Sequence, residues 1–126
     1  MSRIKFLNIE VDNLTMEESI SRIEDLIIKR NNSYVVTPNV DHIVKLEDDE
    51  EFREVYRNAD LIVTDGMPLI WISNLTGEKI KEKISGSDLF PKLCERATKK
   101  GYSIFLLGAA EGIAEIAKKN LEEKYL

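Results

Sequence analysis

The chain has 126 residues, 43% hydrophobic and 33% charged, with three prolines and six glycines, the balance of one folded domain with its own core rather than of a disordered or fibrous chain. Its 18 basic and 23 acidic residues leave a formal net charge of −5, a field that repels nucleic acid or an anionic membrane as main partner while permitting a local basic patch. The single cysteine, Cys94, excludes an internal disulfide or a thiolate metal site, and the absence of a signal peptide at Met1-Ser2-Arg3-Ile4-Lys5 or of an apolar run near the roughly 20 residues that span a bilayer predicts a cytosolic chain.

In chain order, the stretch Ile4 to Val11 predicts a strand, and Thr15-Met16-Glu17-Glu18 is a capping-box start for a helix with Met16, Ile20, Ile23 and Ile27 on one face. That helix is expected to end near Arg30-Asn31-Asn32. Ser33 to Thr37 is short, β-branched and bounded by Pro38, which predicts a buried strand opening into a loop at Thr37-Pro38-Asn39. Two short helices follow, through about Ala59, with the acidic run Glu47 to Glu51 as their solvated connection. Leu61 to Thr64 predicts a second buried strand that ends in the loop Asp65-Gly66-Met67-Pro68. Leu69 to Leu75 suits an apolar helix stopped by Gly77, with Trp71 in its core-facing stretch. A helix from Ser87-Asp88 to Lys99-Lys100 with Gly101 as its stop, a third buried strand from Tyr102 to Leu107, and an amphipathic helix from Ala110 to Lys124 complete the pattern.

Alternating helices and continuous apolar strands predict an α/β fold: a doubly wound, Rossmann-like, mostly parallel sheet with helices on both faces, whose ligands gather beyond the carboxyl ends of the strands. With only three or four strands, one domain over 1–126 reads as incomplete at its C-terminal end.

Asp65 is the leading candidate for chemistry, because a carboxylate at the mouth of a buried strand, beside the unhindered backbone of Gly66, can face a ligand, and partial desolvation would raise its pKa toward general-base duty. The alternative is that Asp65-Gly66 makes a turn and caps the next helix. Thr37 and Asn39 sit at the equivalent place on the neighbouring strand, as sugar contacts or as loop stabilisers. Gly86-Ser87-Asp88 and the turn at Gly108 put small residues at helix starts, where free N–H groups favour phosphate. The second lacks the middle glycine of G-x-G-x-x-G and carries Glu111. His42 has no G-x-S-x-G serine to serve and reads as structural; Cys94 reads as a buried helix residue. No D-x-D pair is present to hold a divalent cation against a diphosphate, so no cofactor and no metal are expected.

Four segments in register, Thr37-Pro38-Asn39-Val40-Asp41-His42, Ala59 to Pro68, Ile84-Ser85-Gly86-Ser87-Asp88 and Ile104-Phe105-Leu106-Leu107-Gly108, resemble the WecG/TagA/CpsF family of bacterial glycosyltransferases. The likeness is strongest to its teichoic-acid branch. The resemblance implies transfer of N-acetylmannosamine from UDP-N-acetylmannosamine to the 4-hydroxyl of N-acetylglucosamine on undecaprenyl diphosphate, with inversion and without a metal ion; relatives use UDP-N-acetylmannosaminuronic acid or UDP-glucose. It implies Asp65 as general base, with Thr37, Asn39 and Gly66 lining the pocket. Lys83, Gly86, Ser87, Asp88 and Gly108 would be donor contacts. The family pattern carries arginine where this chain has Lys83, and lysine would lose a bidentate grip on phosphate.

Relatives in that family continue with further strands, a Gly-rich segment, a glutamine-bearing motif and a basic, membrane-associating C-terminal segment. The resemblance therefore implies a protein peripheral at the inner face of the cell membrane through a segment not in this chain, and a 126-residue piece weakly active or inactive by itself. A homo-oligomer is compatible with apolar surface left where strands would pack. Two other classes fit less well. A response-regulator receiver carries two residues between its aspartate and Met-Pro, where only Gly66 stands here, and a dinucleotide-binding oxidoreductase needs the full glycine fingerprint.

Overall fold

The structure, a computed structural model, describes residues 3–6, 8–30, 32–64, 75 and 80–125. The chain divides into two compact units, 1–89 and 90–126, each taken by itself below.

The first unit opens with a hairpin where one strand was expected. Strand β1 (Arg3–Phe6) pairs antiparallel with β2 (Ile9–Asp12), with Ile4 opposite Val11 and Phe6 opposite Ile9. Strand periodicity explains the reversal. In a continuous strand, Ile4 and Val11 would point to opposite faces. Doubling back puts them opposite each other, so that Val11 is buried in the core and Ile4 packs against that core. The Asn8 amide anchors the turn by donating to Ile43 O (3.0 Å) and Glu47 Oε1 (2.7 Å).

Helix α1 (Met16–Lys29) begins at the expected capping box: Thr15 Oγ1 accepts from Glu18 N, and Glu18 Oε1 accepts from Thr15 N at 2.9 Å. It buries Ser19 and Ile20 and ends at Arg30, whose φ of 56° turns the chain out of the helix. Strand β3 (Val35–Val36) lies parallel to β4 (Leu61–Ile62), and two helices, α2 (Val40–Leu46) and α3 (Glu50–Arg57), make the crossover between them. The acidic run 47–51 is exposed, with 47–49 as the link between these helices and Glu50 and Glu51 as the first turn of α3, and it is used: Asp49 caps α3 and Glu50 pairs with Arg53 and Arg57. Arg53 also donates to Leu46 O and Glu47 O, closing the C-terminal end of α2.

The core joins Ile9 and Val11 of the hairpin to Leu46, Tyr56, Ala59, Ile62 and Ile80. Leu61, Ile62 and Val63 are at most 2% exposed, as a strand covered on both faces requires. The hairpin docks through Asp12, whose Oδ2 accepts from Ile62 N at 2.8 Å and whose Oδ1 lies 3.2 Å from Arg3 Nε. The result is a mixed α/β unit with a two-stranded parallel pair, coarser than the doubly wound sheet expected.

Helix α4 (Gly86–Lys100) begins one residue before the expected Ser87 and stops at Gly101, whose φ of 77° lets its N–H and that of Tyr102 both reach Ala97 O. The second unit corrects two expectations. Residues 102–107 form no ladder, and Phe105 and Leu107 are 88% and 92% exposed. A strand needs a neighbour for its N–H and C=O groups, and among the described residues this unit contains no strand. The last helix, α5 (Ile113–Tyr125), starts three residues later than Ala110 because Gly108, Ala109 and Gly112 have φ values of 119°, 64° and 85°, outside helical space. Cys94 is buried, as expected, and burial pushes its thiol pKa up. The expected helix 69–75, Trp71 included, lies outside the described residues apart from Leu75. Among the described residues no helix is long and apolar enough to cross a membrane.

Candidate active site

The carboxyl edge of the parallel pair is where the described candidates of the first unit, Thr37, Asn39 and the 83–88 segment, are found. Backbone pairing runs past the two-residue ladder, with Asp60 N donating to Tyr34 O (3.0 Å) and Val63 N to Val36 O (3.1 Å). Because the strands are parallel, Thr37 and Thr64 leave them on one side. Pro38, fully buried, fixes the exit from β3.

Asn39 follows as the N-cap of α2, its Oδ1 accepting from His42 N at 3.0 Å. The loop-stabilising role weighed for Asn39 is thus present, and it occupies the side-chain oxygen. His42 is structural, as expected: its Nδ1 lies 2.7 Å from Tyr56 Oη, and its ring meets Phe52 and Tyr56 edge to face. Burial raises the Tyr56 pKa to about 12, which keeps the phenol neutral.

Thr64, 3% exposed, is followed directly by Asp65. Asp65 and Gly66 lie outside the described residues. The chain is described again from Ile80, and Ile84 N donates to Thr64 O at 2.7 Å, which brings the 80–88 segment to the same edge. That segment is also held by Asn13 and the first turn of α1: Asn13 Oδ1 accepts from Lys81 N (2.8 Å), Glu82 Oε1 accepts from Met16 N (2.9 Å), and Lys81 Nζ lies 3.6 Å from Glu18 Oε1.

Ser85 caps α4. Its Oγ accepts from Asp88 N at 3.1 Å and lies 3.1 Å from Ser87 Oγ, and its carbonyl accepts from Leu89 N at 2.9 Å. Sequence reasoning passed over Ser85, although Ser85-Gly86-Ser87-Asp88 has the S-x-x-D spacing of a cap. Lys83 and Asp88, both expected as substrate contacts, face each other, with Nζ 3.4 Å from Oδ2. The Ser85 hydroxyl first and the Lys83 ammonium second hold the Asp88 carboxyl below its ordinary pKa, so it is ionised at neutral pH. Gly86 is the first residue of α4, with open space where a Cβ would stand, and Ser87 is exposed. Gly108 belongs to the second unit, in the left-handed turn before α5.

One strand edge thus collects a hydroxyl and an amide from 37–39, the end of β4, and a helix start bearing one cation and one carboxylate. That is a polar rim on an apolar parallel pair, the usual setting for a small polar ligand in α/β proteins. The family model for the glycosyl transferase WecG/TagA/CpsF family matches residues 4–126, and the chain belongs to that family.

Among curated proteins it is similar to the N-acetylglucosaminyldiphosphoundecaprenol N-acetyl-beta-D-mannosaminyltransferases of Staphylococcus aureus strains NCTC 8325 / PS 47, COL and MRSA252. Each is 25% identical over 126 residues, 98% of this chain and 50% of the relative. The chain spans about half the length of the curated relatives it matches.

Proposed function

We propose that the protein is an inverting, metal-independent glycosyltransferase. In this reading it moves N-acetylmannosamine from UDP-N-acetylmannosamine to the 4-hydroxyl of N-acetylglucosamine on undecaprenyl diphosphate, a step of teichoic acid synthesis, at the inner face of the cell membrane. The supporting observation is that three family-matched segments, at Thr37-Pro38-Asn39, Thr64 and 83–88, converge on one strand edge.

In the reaction, the acceptor oxygen attacks the anomeric carbon as the bond to the β-phosphate oxygen breaks, UDP leaves as the anion, and the configuration inverts. Asp65, next in the chain after Thr64, takes the acceptor proton. One carboxylate suffices, because an inverting displacement needs a base and no covalent nucleophile. Thr37 and the NH2 of Asn39 line the sugar pocket with Gly66. Lys83 and the backbone amides of Gly86 and Ser87 hold the diphosphate. In this reading a segment beyond residue 126 meets the membrane that carries the lipid acceptor.

The test is UDP release by the full-length protein in EDTA, with a soluble lipid-diphosphate-N-acetylglucosamine acceptor and the Asp65→Asn variant alongside. Acceptor-dependent release that falls by about a hundredfold or more in the variant is expected. Unchanged turnover in folded Asp65→Asn removes Asp65 as the base, and no release by the unmodified protein from UDP-N-acetylmannosamine overturns the donor assignment.

A further inference from the structure

The Lys83–Asp88 pair decides a question the functional reading leaves open, namely which of the two charges meets the donor. An exposed lysine ammonium on a four-carbon stem samples many rotamers, and fixing one costs more entropy than for most side chains. Here the backbone beside the lysine is fixed and its ammonium has an anionic partner. The backbone at Ile84 is tied to Thr64 O at 2.7 Å and its side chain is 1% exposed, Ser85 is 7% exposed, and the Asp88 carboxylate waits 3.4 Å from the ammonium. Asp88 is itself held, because its backbone N–H donates to Ser85 Oγ at 3.1 Å and to Ser85 O at 3.1 Å.

A carboxylate so placed is a poor direct partner for a diphosphate, which is also an anion. It is a good guide for a cation, because an ammonium with three N–H donors can give one to Asp88 and keep two for phosphate oxygens. We infer that Asp88 acts on donor binding through Lys83, as a positioning residue, and does not itself touch the sugar nucleotide. This rests on the glycosyltransferase reading and on Lys83 as a diphosphate contact. The opposing effect, repulsion between Asp88 and the diphosphate, is weakened by solvent because Lys83 and Asp88 are 37% and 48% exposed and lie beside a neutralising partner.

The experiment is a double-mutant cycle in the full-length protein with Asp88→Asn, Lys83→Met and both changes together. It reads the dissociation constant for UDP, and kcat and KM for UDP-N-acetylmannosamine. Asp88→Asn is expected to weaken UDP binding and raise KM about three- to fivefold, the range of an exposed ion pair, with kcat changed less than twofold. In the Lys83→Met background the same change is expected to have no further effect. Equal weakening in both backgrounds would make Asp88 a direct contact and overturn the inference, as would tighter binding in Asp88→Asn. A protein that neither binds UDP nor releases it from the donor fails one level lower, at the glycosyltransferase reading, and takes this inference with it.

Discussion

Asp12 on the N-terminal hairpin accepts the backbone N–H of Ile62 on the parallel pair at 2.8 Å, so a side chain, not a ladder, satisfies that buried amide. The carboxylate is nearly fully buried, and Arg3 neutralises it while donating to Ala59 O as well. Asp12→Ala would leave a buried N–H unpaired and Arg3 without its anion. A loss of about 3 kcal/mol in unfolding free energy is expected, and Asp12→Asn, which keeps an acceptor oxygen, should lose less. Urea denaturation of both variants measures this; a loss for the alanine variant within about 0.5 kcal/mol of zero would mean the hairpin docks by packing alone.

The capping box of α1 carries a pH signature. The Thr15 backbone N–H donating to Glu18 is the main cause of a Glu18 pKa below its ordinary 4.5. A depressed folded-state value contributes stability that is fully present above 4.5 and lost as pH falls through the lower folded value. Thr15→Ala should cost about 1 kcal/mol near neutral pH. The alanine keeps the backbone N–H that Glu18 accepts, so most of its loss should not depend on pH; the gap between Glu18→Gln and the unmodified protein should instead narrow in acid, and one that stays constant from neutral pH down to pH 3 contradicts the assignment.

Tyr56 makes the opposite prediction at the alkaline end. Its pKa rises to about 12 against an ordinary 10.0. The unfolded chain gives up this proton first, so stability should be unaffected below 10 and decline between 10 and 12. Tyr56→Phe should flatten that decline. At neutral pH it should cost about 1 kcal/mol for the lost bond to His42. Alkaline unfolding curves of the two proteins, followed by circular dichroism, test both statements.

Gly101 ends α4 at a φ of 77°. Gly101→Ala should destabilise by about 1 kcal/mol through backbone strain alone, since a Cβ there would meet nothing within 4 Å. A neutral alanine variant in thermal unfolding would mean that the helix end relaxes to another conformation.

The parts that were legible from residue order are those fixed within one or two turns of chain. Thr15 with Glu18, Ile20 on the buried face of α1, and Gly101 past α4 announce themselves because their partners are three to five residues away. The hairpin did not, since no glycine lies between Phe6 and Ile9 in the sequence and the deciding contacts, Ile4 with Val11 and Asp12 with Ile62, are made by residues distant along the chain. Residues 102–107 read as a buried strand because apolar runs do, yet a ladder is a property of two segments. At the candidate site, Thr37 and the end of β4 were legible as one edge from two β-branched runs that each end in loop residues. That Lys83 and Asp88 would face each other was not, because the turn through Ile84 and Ser85 sets their distance. The position of Asp65 lies outside the described residues.

The bonds that hold the 80–85 segment to the start of α1 reach across 68 residues from Lys81 to Asn13 and 66 from Glu82 to Met16. During synthesis, the hairpin and α1 therefore emerge long before the residues that complete them. Until Glu82 has left the ribosome, α1 lacks the carboxylate at its Met16 amide, and until Ile62 has, buried Asp12 lacks its acceptor role. The first unit can therefore be completed only late, its earliest segments kept waiting for its latest.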